Sequence, residues 1–452
     1  MTAMVAAGAL AREADEDGGG DERRLAPVPW WRAALRLVVV VSVLAFFGWR
    51  WLLDRVGPER ITGPVALRRA FEVLGPTYVK LGQLIASGEA LFSPRYSEEF
   101  RKLLDRVPPF SSEEVVATLE RELGRPVEQA FASLEREPLA AASIAQVHAA
   151  TLLDGREVVV KVQRPGIGAR AACDVALMRL FARLAQRVSL HARRANVLAV
   201  IEDFETNLVA ELDFNNEARR MREFNEVMRA MGTDSVAAPV VHDELSSARV
   251  LTMERFTGWR LDDTDALLAS GYDVEERLLT GIRAWFQTLI LRGFFHGDVH
   301  AGNFMLLSDG RIGYLDFGIV GVFDDDQKKS VLEYVLGFQS RDFVRVARSM
   351  LSMGTAVDAG RVDAEALGSD LGAVYEPVLE GGFNMRELVP AMIRVSRAHD
   401  LRMPRDLVLV TKQLVYLDRY TRAIGGANMN VLTDQRLTNL IMQDMFAAMF
   451  AA

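Results

Sequence analysis

The chain has 452 residues, 50% of them apolar and 25% charged, enough to bury sizeable cores and too balanced for a disordered, collagenous or coiled-coil chain. A formal charge of -8 argues against a nucleic-acid binder, because phosphate contacts need clustered Lys and Arg. Cys173 is the only cysteine, which excludes an intramolecular disulfide, an iron–sulfur cluster and a Cys-rich zinc module, and which suits a reducing compartment.

Residues 1–29 run through an acidic, Gly-rich stretch from Glu13 to Glu22 and on to Pro27 and Pro29, the composition of a disordered tail. Residues 30–56 follow as a candidate membrane-anchor helix. Trp30 and Trp31 lead into an uncharged run from Leu37 to Trp49, bounded by Arg36 and Arg50. A spanning helix needs about 20 apolar residues, a length reached only over 33–53 with both arginines snorkelling from near its ends. A spanning helix, a helix lying in the interface and a buried helix of the fold all fit this run. Arginines on both sides of it leave its orientation open.

Residues 57–136 read as helix cut into pieces by Pro58, Pro76, Pro94, Pro108, Pro109 and Pro126. Residues 137–257 then read as a sheet-containing segment and 258–452 as a mostly helical one. Ser143 to His148 open a strand that runs towards Leu152, Asp154 and Gly155 supply a hairpin turn, and Glu157 to Val162 return. Lys161 ends a β-branched run, where an ammonium can point from a sheet towards the oxygens of a polyphosphate.

The strongest signal is His296, Gly297, Asp298, Val299, His300, Ala301, Gly302, Asn303. After it come apolar Phe304 to Leu307, a turn at Asp309 and Gly310, and a strand leading to Asp316, Phe317 and Gly318. Asp298 can orient or deprotonate an attacking hydroxyl, while Asn303, five residues on, and Asp316, returned by the hairpin, offer the hard oxygens that suit Mg²⁺. His296 and His300 lack the helical Glu of a zincin pair, and the loop accounts for them better. Val250 to Phe256 read as a strand entering a linker that ends at Gly258.

This ordered set resembles the protein-kinase-like superfamily, and further motifs narrow it. Lys80, Leu81, Gly82 and Gln83 read K-x-G-Q; Ala140, Ala141, Ala142 and Ser143 stand where a protein kinase has a glycine-rich loop; Glu211 and Asp213 read E-x-D, followed by Glu217. Together they resemble the UbiB family of atypical kinases, also called AarF or ADCK proteins, over roughly residues 60 to 430. The resemblance implies an α+β, protein-kinase-like bilobal fold, with a small sheet-containing N-lobe, a mostly helical C-lobe and a helical N-terminal K-x-G-Q extension. It implies ATP and Mg²⁺ as cofactors, with Lys161 on the α and β phosphates and Glu217 as its ion-pair partner. Asp298 would be the catalytic aspartate, and Asn303 and Asp316 the metal ligands. The Ala-rich loop would lie at the phosphates, and Met253, Glu254 and Phe256 at the hinge that receives adenine. Lys80 and Gln83 would belong to an extension that covers the cleft, anchored by Glu211 and Asp213.

The implied function is a membrane-associated ATPase or atypical kinase supporting isoprenoid quinone or related lipid metabolism, with its catalytic domain in the cytoplasm. Its partners would be membrane lipids, anionic ones among them, and quinone precursors or quinone-biosynthesis proteins. A small-molecule phosphotransferase of the aminoglycoside or choline kinase kind shares the H-G-D loop but gives no reason for Lys80, Gln83 or the Ala-rich loop. A nucleotide-gated scaffold with little turnover is a further alternative. Bacterial members of the family usually carry their hydrophobic anchor at the C-terminal end, whereas this chain has it at the other. Here Leu437 to Phe450 form at most an amphipathic helix expected to pack on the domain.

Overall fold

The computed structural model describes residues 25, 28–53, 61–87, 94–103, 108–194, 196–355, 361–379, 385–401, 405–425, 431 and 434–451. The tail expected over residues 1–29 lies almost wholly outside them. Helices α1 (Trp30–Leu53), α2 (Gly63–Leu74), α3 (Pro76–Ser87), α4 (Pro94–Phe100) and α5 (Ser112–Leu123) come first. Strands β1 (Phe131–Leu134), β2 (Ala140–Ala141), β3 (Ala145–Leu152) and β4 (Glu157–Gln163) follow. Next come α6 (Ile167–Val188), α7 (Leu190–Arg194), α8 (Val197–Glu211), α9 (Phe214–Ala230), β5 (Val236–Ala237), β6 (Val250–Glu254) and β7 (Gly258–Arg260). The remainder holds α10 (Thr264–Leu268), α11 (Val274–Gln287), β8 (Phe294–His296), β9 (Phe304–Leu307), β10 (Ile312–Tyr314), β11 (Val320–Val322), α12 (Asp325–Gln339), α13 (Phe343–Ser352), α14 (Ala364–Leu379), α15 (Met385–Ala398), α16 (Arg405–Gly425) and α17 (Gln435–Ala451). They form two compact units, Met1–Asn216 with His242–Arg255, and Glu217–Val241 with Phe256–Ala452.

In the first unit an antiparallel sheet runs β1-β3-β4-β6, with β2 also on β3. Gly155, at φ 88°, closes the β3–β4 turn, as the Asp-Gly pair predicts. Alternation then sorts the side chains. Val158, Val160 and Val162 are fully buried and pack with Val115 and Leu119 of α5. Lys161 pairs with Val147 and Leu251, and therefore points to the other face. One expectation is corrected here: Phe131–Leu134, read as part of a helical stretch, is a strand paired with Leu152, Thr151 and Ala150. Phe131 is buried in the same core as Leu152, and that packing outweighs local helix preference.

A helical bundle forms the other core of this unit, with Phe71, Leu74, Tyr78, Phe100, Leu177 and Phe204 among its buried residues. The apolar α1 docks on it along one narrow side. Ala33 and Val40 are buried, and Arg36 forms a bidentate ion pair with Asp174 at 2.6 and 3.1 Å while also donating to the Leu74 carbonyl at 2.6 Å. Trp30, Leu35, Val38, Phe46, Trp49 and Leu52 are all more than half exposed. This corrects the reading of α1 as a buried helix of the fold. The helix is long and apolar enough to cross a membrane.

The second unit has a four-stranded sheet, β5-β10-β9-β7, and the two-stranded pair β11-β8, among helices. Its last helix packs on the unit as expected: Leu437 and Ile441 of α17 are buried, and Asp444 receives a bidentate pair from Arg283 of α11 at 2.6 and 2.8 Å.

Gly82 lets α3 lie close on α4. A Cβ there would stand 2.1 Å from Leu103 Cδ1 and 2.8 Å from Phe100 Cδ1, both on buried side chains. Overpacking costs about 1–3 kcal/mol, against a gain of about 1 kcal/mol in helix propensity. At 2.1 Å the clash wins, and Gly82→Ala is expected to lower stability by about 1–2 kcal/mol. Denaturant unfolding checks this, and an unchanged midpoint would show that α3 is free to move off α4.

Candidate active site

In the first unit Lys161 stands on β4 with its ammonium 5.4 Å from the centre of the Phe214 ring. Met253, buried on β6, faces the same side of the sheet, two residues along from the Leu251 that pairs with Lys161, whereas Glu254 lies on the opposite side. Ala140 and Ala141 pair with Val147 and Gln146, and the chain turns tightly where the Ala142 amide donates to the Ala145 carbonyl at 2.8 Å. Ser143, within that turn, is buried. The turn is held from below by polar contacts. Gln146 exchanges hydrogen bonds with the Phe110 backbone at 3.1 and 3.3 Å, and its amide meets His148 Nε2 at 2.9 Å. His148 Nδ1 reaches the Glu135 carbonyl at 2.8 Å, and burial pulls its pKa below the usual range. An alanine loop seated this way replaces glycine's freedom at positive φ with a fixed strand edge.

Lys80 and Gln83 lie on α3, and Lys80 forms a hydrogen-bonded ion pair with Glu211 at the end of α8, 131 residues away. Asp213 stands two residues on, at the start of α9, where its carboxylate accepts the Asn215 amide at 3.0 Å. Gln163, at the end of β4, donates to the Leu212 carbonyl between them at 2.7 Å. The K-x-G-Q helix, the E-x-D segment and the Lys161 strand are therefore neighbours within one unit.

In the second unit, Glu217 is buried in the first turn of α9. Phe256 is half-buried, with its ring in the space that the missing side chain of Gly313 leaves on β10. The loop after β8 is built around His296. Its Nε2 lies 2.8 Å from the Leu315 carbonyl and its Nδ1 accepts the Asp298 amide at 3.2 Å. The ring is fully buried, and burial depresses its pKa. Neutral, it joins the Asp298 loop to the residues just before Asp316. Asn303 is buried and donates from Nδ2 to the Asp298 carbonyl at 3.2 Å, while its own carbonyl accepts the Leu315 amide at 2.8 Å.

Asp316 is exposed and adopts a left-handed backbone at φ 53°, with its carboxylate accepting the Gly318 amide at 3.1 Å. That conformation costs a non-glycine residue about 1–2 kcal/mol. It is held by Arg220 of α9, which donates to the Phe317 and Gly318 carbonyls at 3.1 and 2.9 Å, and by the fully buried Phe317 ring.

Two residues that sequence reasoning missed complete the loop, both on α16. Gln413 is fully buried; its Oε1 accepts the Val299 amide at 2.7 Å and its Nε2 donates to the Gly297 carbonyl at 2.6 Å. Lys412 donates to Asp298 Oδ1 at 3.3 Å. His300 Nε2 lies 3.6 Å from the other Asp298 oxygen. The available signal for Lys412 was the scarcity of lysine, since it is one of six; Gln413 carried none.

Among the described residues no three His, Cys, Asp or Glu side chains converge on a closed metal site. The donors present nevertheless fit magnesium. With Nδ2 of Asn303 committed to the Asp298 carbonyl, its Oδ1 is the side-chain oxygen that could serve a metal, and Asp316 adds a carboxylate. Mg²⁺ is usually bound through one or two such protein oxygens, completed by phosphates and water.

A family model described as the ABC1 atypical kinase-like domain matches residues 102–350. An aarF domain-containing protein kinase of the Arabidopsis thaliana chloroplast is 36% identical over 445 residues, covering 90% of this chain and 82% of that protein. A probable protein kinase UbiB of Azotobacter vinelandii is 33% identical over 408 residues, covering 88% and 73%. Among solved structures, a Mycobacterium tuberculosis protein determined in complex with erythromycin has a TM-score of 0.52 at 24% identity, covering 77% of this chain and 92% of that one. That likeness bears on fold alone. With the family model it establishes the kinase-like architecture of a sheet-containing lobe and a mostly helical one, with helices at the N-terminus. The chain belongs to the UbiB/AarF/ADCK family of ABC1-type atypical kinase-like proteins.

Proposed function

We propose that this protein is a membrane-associated, Mg²⁺- and ATP-dependent atypical kinase or ATPase that supports isoprenoid quinone or related lipid metabolism. The observation that carries the chemistry is the Asp298 loop: Gln413 and His296 brace its backbone, and Asn303 donates to the Asp298 carbonyl within it. Asn303 and Asp316 would hold the magnesium, which when bound neutralises charge on the phosphates. Lys161 binds the α and β phosphates, and Ala140 to Ser143 line the phosphate edge. Met253, Glu254 and Phe256 receive adenine. Asp298 orients the acceptor hydroxyl or water and takes its proton as phosphorus is transferred. Residues 57–136, with Lys80 and Gln83, form the covering extension, and the Lys80–Glu211 pair supports that role. The pathway is inferred from the likeness to proteins named UbiB.

The membrane reading rests on α1. Its Arg36 side is tied to Asp174 and Leu74, while an apolar side with tryptophan at both ends is exposed. A helix held this way lies in the plane of the interface, where Arg32 and Arg50 meet anionic headgroups.

Phosphate release from Mg-ATP should fall on the order of 100-fold in Asp316→Asn, the size of effect expected when one charge-stabilising group is lost. Nucleotide binding without turnover in the wild type would move the reading to the scaffold. Val38→Glu with Phe46→Glu should weaken binding to anionic vesicles by about tenfold or more. Alkaline carbonate should strip the wild-type protein from such vesicles, and resistance would show that α1 spans instead.

A further inference from the structure

We infer that Lys412 is a catalytic cation for the transferred phosphoryl group, delivered to the site from α16. The inference rests on the phosphoryl-transfer reading above and extends it to a residue outside the motifs. The loop from Gly297 to Asn303 contains no Lys or Arg, so any permanent positive charge beside Asp298 must come from elsewhere. Arg260 also approaches the loop, near Gly302, but its guanidinium is engaged by Asp262 through two bonds of 3.1 Å. Among the described residues, Lys412 Nζ is the permanent cation recorded on the Asp298 carboxylate, 3.3 Å from Oδ1.

Its position is built into the fold. The adjacent residue, Gln413, hydrogen-bonds the backbone on both sides of Asp298, at Gly297 and Val299, and fixes the register of α16 against the loop. Lys412, the preceding residue on the helix, is thereby held within reach of the carboxylate. The contact is a loose one: one bond to one oxygen, from a side chain about one-third exposed on a long flexible stem, with the ammonium also 5.7 Å from the centre of the Tyr416 ring. An ammonium held this loosely can take a second partner during turnover. As the acceptor oxygen bonds to the γ-phosphorus, the bond to the β–γ bridging oxygen breaks and its electron pair leaves with ADP. The acceptor proton passes to Asp298, and Lys412, which gains and loses no proton, moves its charge onto the phosphoryl oxygens. An acceptor hydroxyl in hydrogen-bond reach of Asp298 brings those oxygens within the sweep of the Lys412 stem.

The test compares the full-length wild type with Lys412→Met and Lys412→Arg, reading phosphate release and the separate affinities for Mg-ATP and Mg-ADP. Lys412→Met should lower kcat on the order of 100-fold. It should weaken Mg-ATP binding by about tenfold while leaving Mg-ADP within about twofold, because only the former carries the γ-phosphate. Lys412→Arg should recover most of both. A loop that merely loses support would lose both nucleotides together, and that result, or a kcat within about twofold of wild type, would overturn the inference. Wild-type protein that binds neither nucleotide would sink the kinase reading itself and this inference with it. Wild-type binding with an unchanged ATP-to-ADP ratio in Lys412→Met would sink the role of Lys412 alone.

Discussion

An imidazole shut away from water must find partners for both ring nitrogens inside the protein, and His296 finds them on the two loops that carry the candidate chemistry. One nitrogen accepts from the Asp298 amide and the other donates to the Leu315 carbonyl, one residue before Asp316. The spacing of the two loops is thereby set by the width of a single ring. Only the neutral form can accept on one side and donate on the other; a protonated ring would set an N–H against the Asp298 N–H. Burial supplies that neutrality. The ring also stacks edge-on against Phe317 at 4.8 Å, and the His296 carbonyl takes the Trp285 indole N–H at 2.9 Å. A residue that could be mistaken for half of a zinc pair is the strut on which the site's geometry rests.

That strut would not suffice alone, because the loops it joins are individually costly. Asp316 sits at positive φ without the freedom of glycine, and the loop from Gly297 to Val299 exposes backbone groups towards a buried surface. Each cost is offset from a different helix: Arg220 of α9 takes the carbonyls after Asp316, and Gln413 of α16 takes the groups that flank Asp298. A buried amide side chain with both ends satisfied is among the more specific ways to set a helix against a loop, since a shift of either leaves polar groups unpaired. The candidate reactive groups come from motif residues, and they are held both by His296 of the motif and by Arg220 and Gln413, which belong to none.

This division explains what was legible in the sequence. The β3–β4 hairpin, the β9–β10 hairpin and the helix bearing Lys80 and Gln83 could be read because turn chemistry and periodicity are local. The H-G-D loop and Asp316 could be read because their spacing is short. Gln413 and Arg220 could not, because a lone Gln or Arg on an amphipathic helix looks the same whether it faces solvent or a backbone 114 or 97 residues away. The strand at Phe131 was lost for a related reason: its partner, β3, lies beyond an intervening loop, and four residues carry too little period of their own. The docking of α1 was also illegible. Arg36 reads as the flank of an apolar run, and only Asp174, buried 138 residues on, reveals it as an anchor. Removing either partner of such a pair strands a buried charge, at a cost of about 3–5 kcal/mol.

The lysines draw these threads together, because arginine supplies nearly all the positive charge in this chain and lysine is the exception. Lys102, Lys328 and Lys329 pair with acids three residues before them, contacts worth a few tenths of a kcal/mol. The other three reach far along the chain, Lys80 to Glu211, Lys412 to Asp298, and Lys161 to the face of Phe214. Where a carboxylate is held in a fixed fork, arginine does it, as at Arg36 and Arg283. A compact ammonium on a flexible stem is the better choice where a charge must follow a ligand or change partners. Half of this chain's six lysines stand at such long-range positions, each with a flexible ammonium set against a carboxylate or an aromatic face.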